Sequence, residues 1–282
     1  MLLPTITSAA NPTATEVEAE TRAFHARRIS TLTAPEGWLS VVGLLWLAEG
    51  ENTVGAASDN ALRCPAGWPA HLGRFVRRGN AVSMIPLTEL SRAGTPVAAG
   101  PIAVELEGES AMFEAARYRF SLIRRGDRVG LRLRDPGSPA RTGWRDIPRY
   151  PPAAAWRIVA RFEPAPPGQT LDVPNVLGMV QPLPCPGTVV FEIGGHSYRL
   201  SPVLTGDQGL FFVFGDGTNT DATYATGRFL VTDLPRDGTV VLDFNRAINP
   251  PCAFTHFATC PLPPKQNKLA VRIEAGEQRV AH

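Results

Sequence analysis

Thr188-Val189-Val190-Phe191-Glu192-Ile193 runs straight into Gly194-Gly195 and then into His196-Ser197-Tyr198-Arg199-Leu200. β-branched and aromatic residues fill both arms, and a glycine pair joins them. That composition predicts a β-hairpin with a two-residue turn. Further along the chain, Leu210–Phe214, Gly227–Thr232, Thr239–Phe244 and Lys268–Glu274 have the same character. No helical period separates them, which favours antiparallel sheets over a wound α/β fold. The expected fold is therefore mainly β, with a C-terminal antiparallel β-barrel or sandwich. Closure into a barrel would remove exposed sheet edges.

Toward the N-terminus, Thr15–Leu32 reads as a short helix. Glu16, Glu18 and Glu20 stand in its first turns and Arg27 and Arg28 in its last, the charge order a helix dipole favours. Pro35 and Gly37 stop it. An N-terminal β region follows. Gly73–Arg78 and Ala81–Leu87 flank Gly79-Asn80, and Arg117–Arg124 and Arg128–Arg134 flank Gly126-Asp127, giving two further hairpins. Ile102–Glu107 and Trp156–Phe162 read as strands. Residues 1–13 are expected to be a flexible tail, 14–163 the helix with its β region, and 168–282 the C-terminal region. Pro164–Pro167 marks the boundary, unless 14–282 form one continuous domain.

Composition narrows the partners. The chain has 282 residues with a net charge of +2, too little to argue for nucleic acid or an anionic membrane. The longest apolar run, Trp38–Ala48, is far shorter than the roughly 20 residues a membrane helix needs, and reads as core. No leader pattern opens the sequence, so a cytoplasmic protein with reduced thiols is expected. The 27 prolines and 26 glycines show no period and indicate many turns. Of the basic residues, 26 are arginine and 2 are lysine.

The polar residues gather between Gly215 and Glu277. Gly215-Asp216-Gly217-Thr218-Asn219-Thr220-Asp221 has the alternating oxygen donors of a calcium loop, but Gly227 stands where its closing glutamate belongs. A turn held by its own side chains fits equally well. Asp243 and Asn245 share one face of a strand. Buried there, Asp243 needs a cation, and Arg228 or Arg246 supplies it. Asn249-Pro250-Pro251-Cys252 is a rigid turn. Cys252, His256 and Cys260 form C-x3-H-x3-C, which leaves open a zinc site lacking a fourth ligand, a cysteine nucleophile with His256 as base, a redox pair, or inert thiols. Glu274 and Glu277 are either an acid–base pair or exposed charges. The sequence lacks a nucleophile elbow, a phosphate loop, a zinc-protease helix motif and a dinucleotide fingerprint.

Several longer words resemble a prokaryotic family, domain of unknown function 1684. They include Gly37-Trp38-Leu39-Ser40-Val41-Val42-Gly43-Leu44 and Leu131-Arg132-Leu133-Arg134-Asp135-Pro136. Thr223-Tyr224-Ala225-Thr226-Gly227-Arg228-Phe229-Leu230 and Leu242–Thr255 continue the series, with Ala258–Pro264 and Glu274-Ala275-Gly276-Glu277 at its end. The resemblance spans most of residues 36–277. It implies a shared site or structural lock, without an activity. The sequence departs from the family pattern at Ile248, where tyrosine is usual, at His256, and at Gly215, where arginine is usual.

Together these features suggest a small-molecule enzyme of unspecified reaction, with a polar pocket at the mouth of the C-terminal barrel. Asp216, Tyr224, Arg228, Asp243 and Cys252 are the candidate catalytic groups. Asn245, Asn249, His256 and Glu274 are the candidate substrate contacts. No metal ligand set is assigned, and zinc and calcium are the ions the spacings suggest. A non-catalytic binding barrel for an apolar or anionic ligand, or a structural hydrogen-bond lock, would use the same residues. The expected partner is a small molecule, with neither nucleic acid nor membrane.

Overall fold

The computed structural model describes residues 12–102, 104, 112–204 and 209–280. The expected tail, residues 1–13, and the expected strand Ile102–Glu107 therefore lie largely outside the described residues. The chain divides into two units. One takes the chain up to Ile29, Ile147–Ala253 and the chain from Thr259; the other takes Ser30–Asp146 and Phe254–Ala258. Pro164–Pro167 falls inside the first unit.

Helix α1 (Ala14–Leu32) begins with a reciprocal cap. The Glu16 amide donates to Thr13 Oγ1 at 3.3 Å, and the Thr13 amide donates to Glu16 Oε2 at 2.7 Å. It stops where the sequence predicts. At Gly37 a Cβ would sit 2.3 Å from the Leu32 carbonyl oxygen, so only glycine lets the chain turn back there.

The unit containing Ser30–Asp146 holds β1 (Val41–Trp46), β2 (Gly50–Gly55), β3 (Leu62–Arg63), β4 (Gly73–Arg78), β5 (Ala81–Pro86), β6 (Ser91–Arg92), β7 (Thr95–Pro96), β8 (Gly100–Ile102), β9 (Phe113–Ala115), β10 (Tyr118–Arg125) and β11 (Arg128–Arg134). They form two open sheets, ordered β1-β11-β10-β9-β6-β7 and β3-β2-β4-β5-β8. Both predicted hairpins are present, β4–β5 and β10–β11. Phe75, Phe120, Leu122 and Leu131 are fully enclosed, and Phe75 meets Phe120 edge to face at 6.0 Å. The apolar run from Trp38 supplies a 3-10 turn and then β1, paired with β11. A single helical turn, α2 (Pro139–Thr142), follows, capped by Ser138.

The other unit holds β12 (Arg157–Pro164), β13 (Thr170–Pro174), β14 (Val180–Pro184), β15 (Gly187–Ile193), β16 (His196–Leu200), β17 (Val203–Leu204), β18 (Leu210–Phe214), β19 (Arg228–Thr232) and β20 (Thr239–Asp243). The order is β16-β15-β12-β20 in one sheet and β17-β18-β19 in another, with β13-β14 as a separate hairpin. The hairpin at Gly194-Gly195 is β15–β16, in the predicted register. Phe191, Phe212, Phe214, Leu242 and Phe244 form the core, with Phe214 and Phe244 rings 5.7 Å apart. The protein is thus mainly β and almost wholly antiparallel, but among the described strands these sheets are open and do not close into a barrel.

Lys268–Glu274 is not a strand. It crosses the end of β18 instead, where the Leu269 amide donates to Gly215 O at 2.8 Å and the Gly217 amide to Val271 O at 2.8 Å. Its hydrogen bonds go to a turn, not to a neighbouring strand. This crossing segment covers the polar residues discussed next. Among the described residues, no helix is long and apolar enough to cross a membrane.

Candidate functional site

β18 delivers Phe214 and β19 starts at Arg228, which are register partners. The turn between them begins with Asp216, whose Oδ1 accepts from the Thr218 amide at 2.8 Å and from Thr218 Oγ1 at 2.6 Å. Asn219 Oδ1 accepts in return from the Asp216 amide at 2.7 Å. This reciprocal cap points Asp216 Oδ2 inward, where Arg228 Nη2 donates to it at 2.5 Å. Arg228 also donates to the carbonyls of Ile273, at 2.9 Å, and Ala275. Its guanidinium carbon lies 5.3 Å from the centre of the Phe214 ring. Both side chains are 0% exposed. Strand, turn and crossing segment meet at the pair and shut it off from solvent, leaving only Arg228 Nε buried without a hydrogen bond.

Asp243 lies in a separate cluster. Its Oδ2 is 3.2 Å from Arg246 Nε and 3.6 Å from Arg157 Nη1. Of the two cations expected for it, Arg246 is the partner, while Arg228 belongs to Asp216. Arg157 joins because it is the cross-strand neighbour of Asp243. Asn245 donates to Asp243 Oδ1 at 2.9 Å, and its amide group pairs with both backbone groups of Ala153 at 3.0 Å. Glu20 of α1 bridges Arg157 and Arg246 at 3.0 and 2.7 Å.

A third cluster surrounds Asn249. Its backbone amide donates to Glu277 Oε2 at 2.6 Å and its side chain to Gln278 O at 2.8 Å. Asn249 Oδ1 is buried and accepts no hydrogen bond. Arg28 reaches both residues, donating to Glu277 Oε1 at 3.1 Å and to Asn249 O at 3.0 Å. Burial pushes the Glu277 carboxyl above the usual carboxylate range, and Arg28 opposes that shift. Glu277 is a functional-looking residue the candidate set lacks; its place in the closing Glu274–Glu277 word was the available signal. Glu274 itself is exposed and pairs with Arg272 at 3.2 Å.

Tyr224 and the cysteine turn form the fourth group. The phenol donates to Cys252 O at 3.0 Å, and the Cys252 amide donates to Cys260 Sγ at 3.1 Å. Burial, then the adjacent Cys252 and Cys260, push the Tyr224 phenol up. His256 is exposed and falls in the other unit. Among the described residues, no three His, Cys, Asp or Glu side chains converge as metal ligands. In the calcium-like turn, Asp216 is taken by Arg228 and Asp221 by Arg272 at 3.1 Å.

The nine candidates thus fall into separate groups: Asp216 with Arg228, Asp243 with Asn245, Asn249 with Glu277, Tyr224 with Cys252, and His256 and Glu274 at the surface. A pocket of about 400 Å³ lies beside the first group. Asn219, Thr226, Leu262, Pro263, Lys268 and Leu269 line it, together with the backbone around Gly215 and Asp216. Apart from Glu20, Arg28, Ala153 and Arg157, the four polar groups and this pocket lie within residues 214–278.

Residues 142–278 match the family described as Protein of unknown function (DUF1684). The match starts later than the words read from the sequence, which begin at Gly37. It takes in the family words from Thr223 to Glu277 and the whole pocket. Among solved structures, the chain is similar to the NMR structure of an uncharacterized protein of Haloarcula marismortui. The two are 26% identical over 49% of this chain and 78% of that one, with a TM-score of 0.41. No curated protein matches.

Proposed function

We propose that the unit holding the pocket is a non-catalytic binding module for a small amphipathic anion, with a carboxylate or phosphate head and a short apolar body. The observation that carries this reading is the placing of Lys268 at a pocket walled by Leu262, Pro263 and Leu269. The Lys268 ammonium makes no ion pair among the described residues. Its volume falls within the roughly 300–1,000 Å³ range of small-molecule sites. An exposed ion pair contributes only about 0–1 kcal/mol, so the lysine selects the head group while burial of the apolar body supplies the affinity.

The enclosure of Asp216 and Arg228 favours a framing role for them over a catalytic one. A general acid or base needs hydrogen-bond reach to a substrate proton. Here every oxygen of Asp216 faces its own turn, Arg228 or the Ile273 amide. The pair holds the turn that carries Asn219 and the segment that carries Lys268, and so shapes two sides of the pocket.

Calorimetric titration of the full chain with hexanoate, hexyl phosphate and hexanol tests this. Saturable binding of both anions, about three- to fivefold tighter than hexanol, is expected. Equal affinity for the alcohol, or no heat from any of the three at millimolar concentration, would overturn it.

A further inference from the structure

Cys252 is the middle residue of a short 3-10 turn, Pro251–Ala253, and is partly exposed, while Cys260 is 4% exposed. The Cys260 sulfur accepts from the Cys252 amide at 3.1 Å. That amide nitrogen and the Cys252 sulfur are joined through one Cα and one Cβ, so the two sulfurs belong to the same neighbourhood and χ1 of Cys252 sets the distance between them. The other two thiols, Cys64 and Cys185, are buried and far apart in sequence, and burial alone holds the Cys64 thiol up at about 12. The chain therefore sets a partly exposed cysteine with its backbone amide on the sulfur of a sheltered one, a placing that suits an attacking and a resolving cysteine.

We propose that Cys252 and Cys260 are a redox-sensitive dithiol, oxidised to a disulfide by a peroxide. The Cys252 sulfur attacks one peroxide oxygen. An S–O bond forms, the O–O bond breaks and water leaves, giving a sulfenic acid. The Cys260 sulfur then attacks Cys252 Sγ; the S–S bond forms, the S–O bond breaks, and hydroxide leaves with the Cys260 proton as a second water. Two thiols lose two electrons and the peroxide gains them. The Cys252 carbonyl, held by the Tyr224 hydroxyl, stands on the backbone that must adjust. Residues 225 and 226, next to Tyr224, line the pocket, so oxidation registers at its wall. The chemistry itself does not depend on what the pocket binds.

Trypsin releases both cysteines in one peptide, residues 247–265. The full chain is treated with equimolar hydrogen peroxide, digested without reductant and weighed. The expected result is loss of two hydrogens from that peptide, restored by dithiothreitol, with Cys64 and Cys185 still alkylated after denaturation. The Cys260→Ser variant should instead retain a sulfenic acid at Cys252 that dimedone traps. Alkylation of both Cys252 and Cys260 after peroxide, or passage of Cys252 to the sulfinic acid in the wild type, would overturn the proposal.

Discussion

The carboxylate of Asp216 and the guanidinium of Arg228 meet at 2.5 Å with both side chains wholly enclosed. Twelve residues apart in sequence, they close the turn between β18 and β19 and hold the segment from Lys268 across it. Removing one member of such a pair leaves an uncompensated buried charge, which costs about 3–5 kcal/mol.

Arg228→Lys and Asp216→Asn are therefore expected to be stability variants. Lysine cannot reproduce the planar fork that reaches Asp216, Ile273 and Ala275 together. Urea unfolding followed by circular dichroism should show a loss of about 3–5 kcal/mol for either change. Wild-type stability in both would mean the pair is not a frame.

Gly227 has φ +111°, and a Cβ there would meet Pro263 Cγ at 2.5 Å and Phe214 O at 2.6 Å. Gly227→Ala should cost about 1–3 kcal/mol through strained backbone alone, and more through the clash. Because Pro263 is a pocket wall, the thermal midpoint and hexanoate affinity should fall together.

Glu277 gives a pH signature. Its folded carboxyl holds a proton more tightly than the unfolded one, because burial outweighs Arg28. This group thus contributes most below the ordinary glutamate pKa, and that contribution is lost as pH rises toward its raised folded value. In urea titrations from acid to neutral pH, the stability difference between wild type and Glu277→Gln should shrink or reverse in that window. A constant difference would place the Glu277 carboxyl in the ordinary range.

Lys268→Met keeps the apolar stem and removes the charge. It should weaken hexanoate about three- to fivefold, the scale of an exposed ion pair, and leave hexanol unchanged. The measurement is the same calorimetric titration.

The strands were legible where local chemistry decided them. Gly194-Gly195 and Gly79-Asn80 join β-rich arms and set the β15–β16 and β4–β5 hairpins. Leu210–Phe214 was readable to the residue, because its apolar content is continuous. Lys268–Glu274 has strand-like alternation, yet its amides satisfy a turn formed more than fifty residues earlier, which no local pattern encodes. The β13–β14 hairpin was missed because prolines at 174, 182 and 184 mask it. The sequence marked polar residues that the fold buries, but not how they group. Asp243 and Asp216 both call for arginine, but which arginine each receives depends on strand register and on the crossing segment. Glu277 is held by Arg28 of α1 and by Asn249, two distant parts of the chain.

The central claim is that ligand enters the pocket beside the Asp216–Arg228 pair without touching the pair itself. Nitrogen–proton correlation spectra of the full chain during titration with hexanoate test it most directly. The account predicts saturating shifts concentrated at 215–219, 225–226 and 262–269, with the Asn245 and Asn249 side-chain amides unmoved. Shifts centred on Asn245, Asn249 or the surface around His256, with the pocket amides silent, would contradict it.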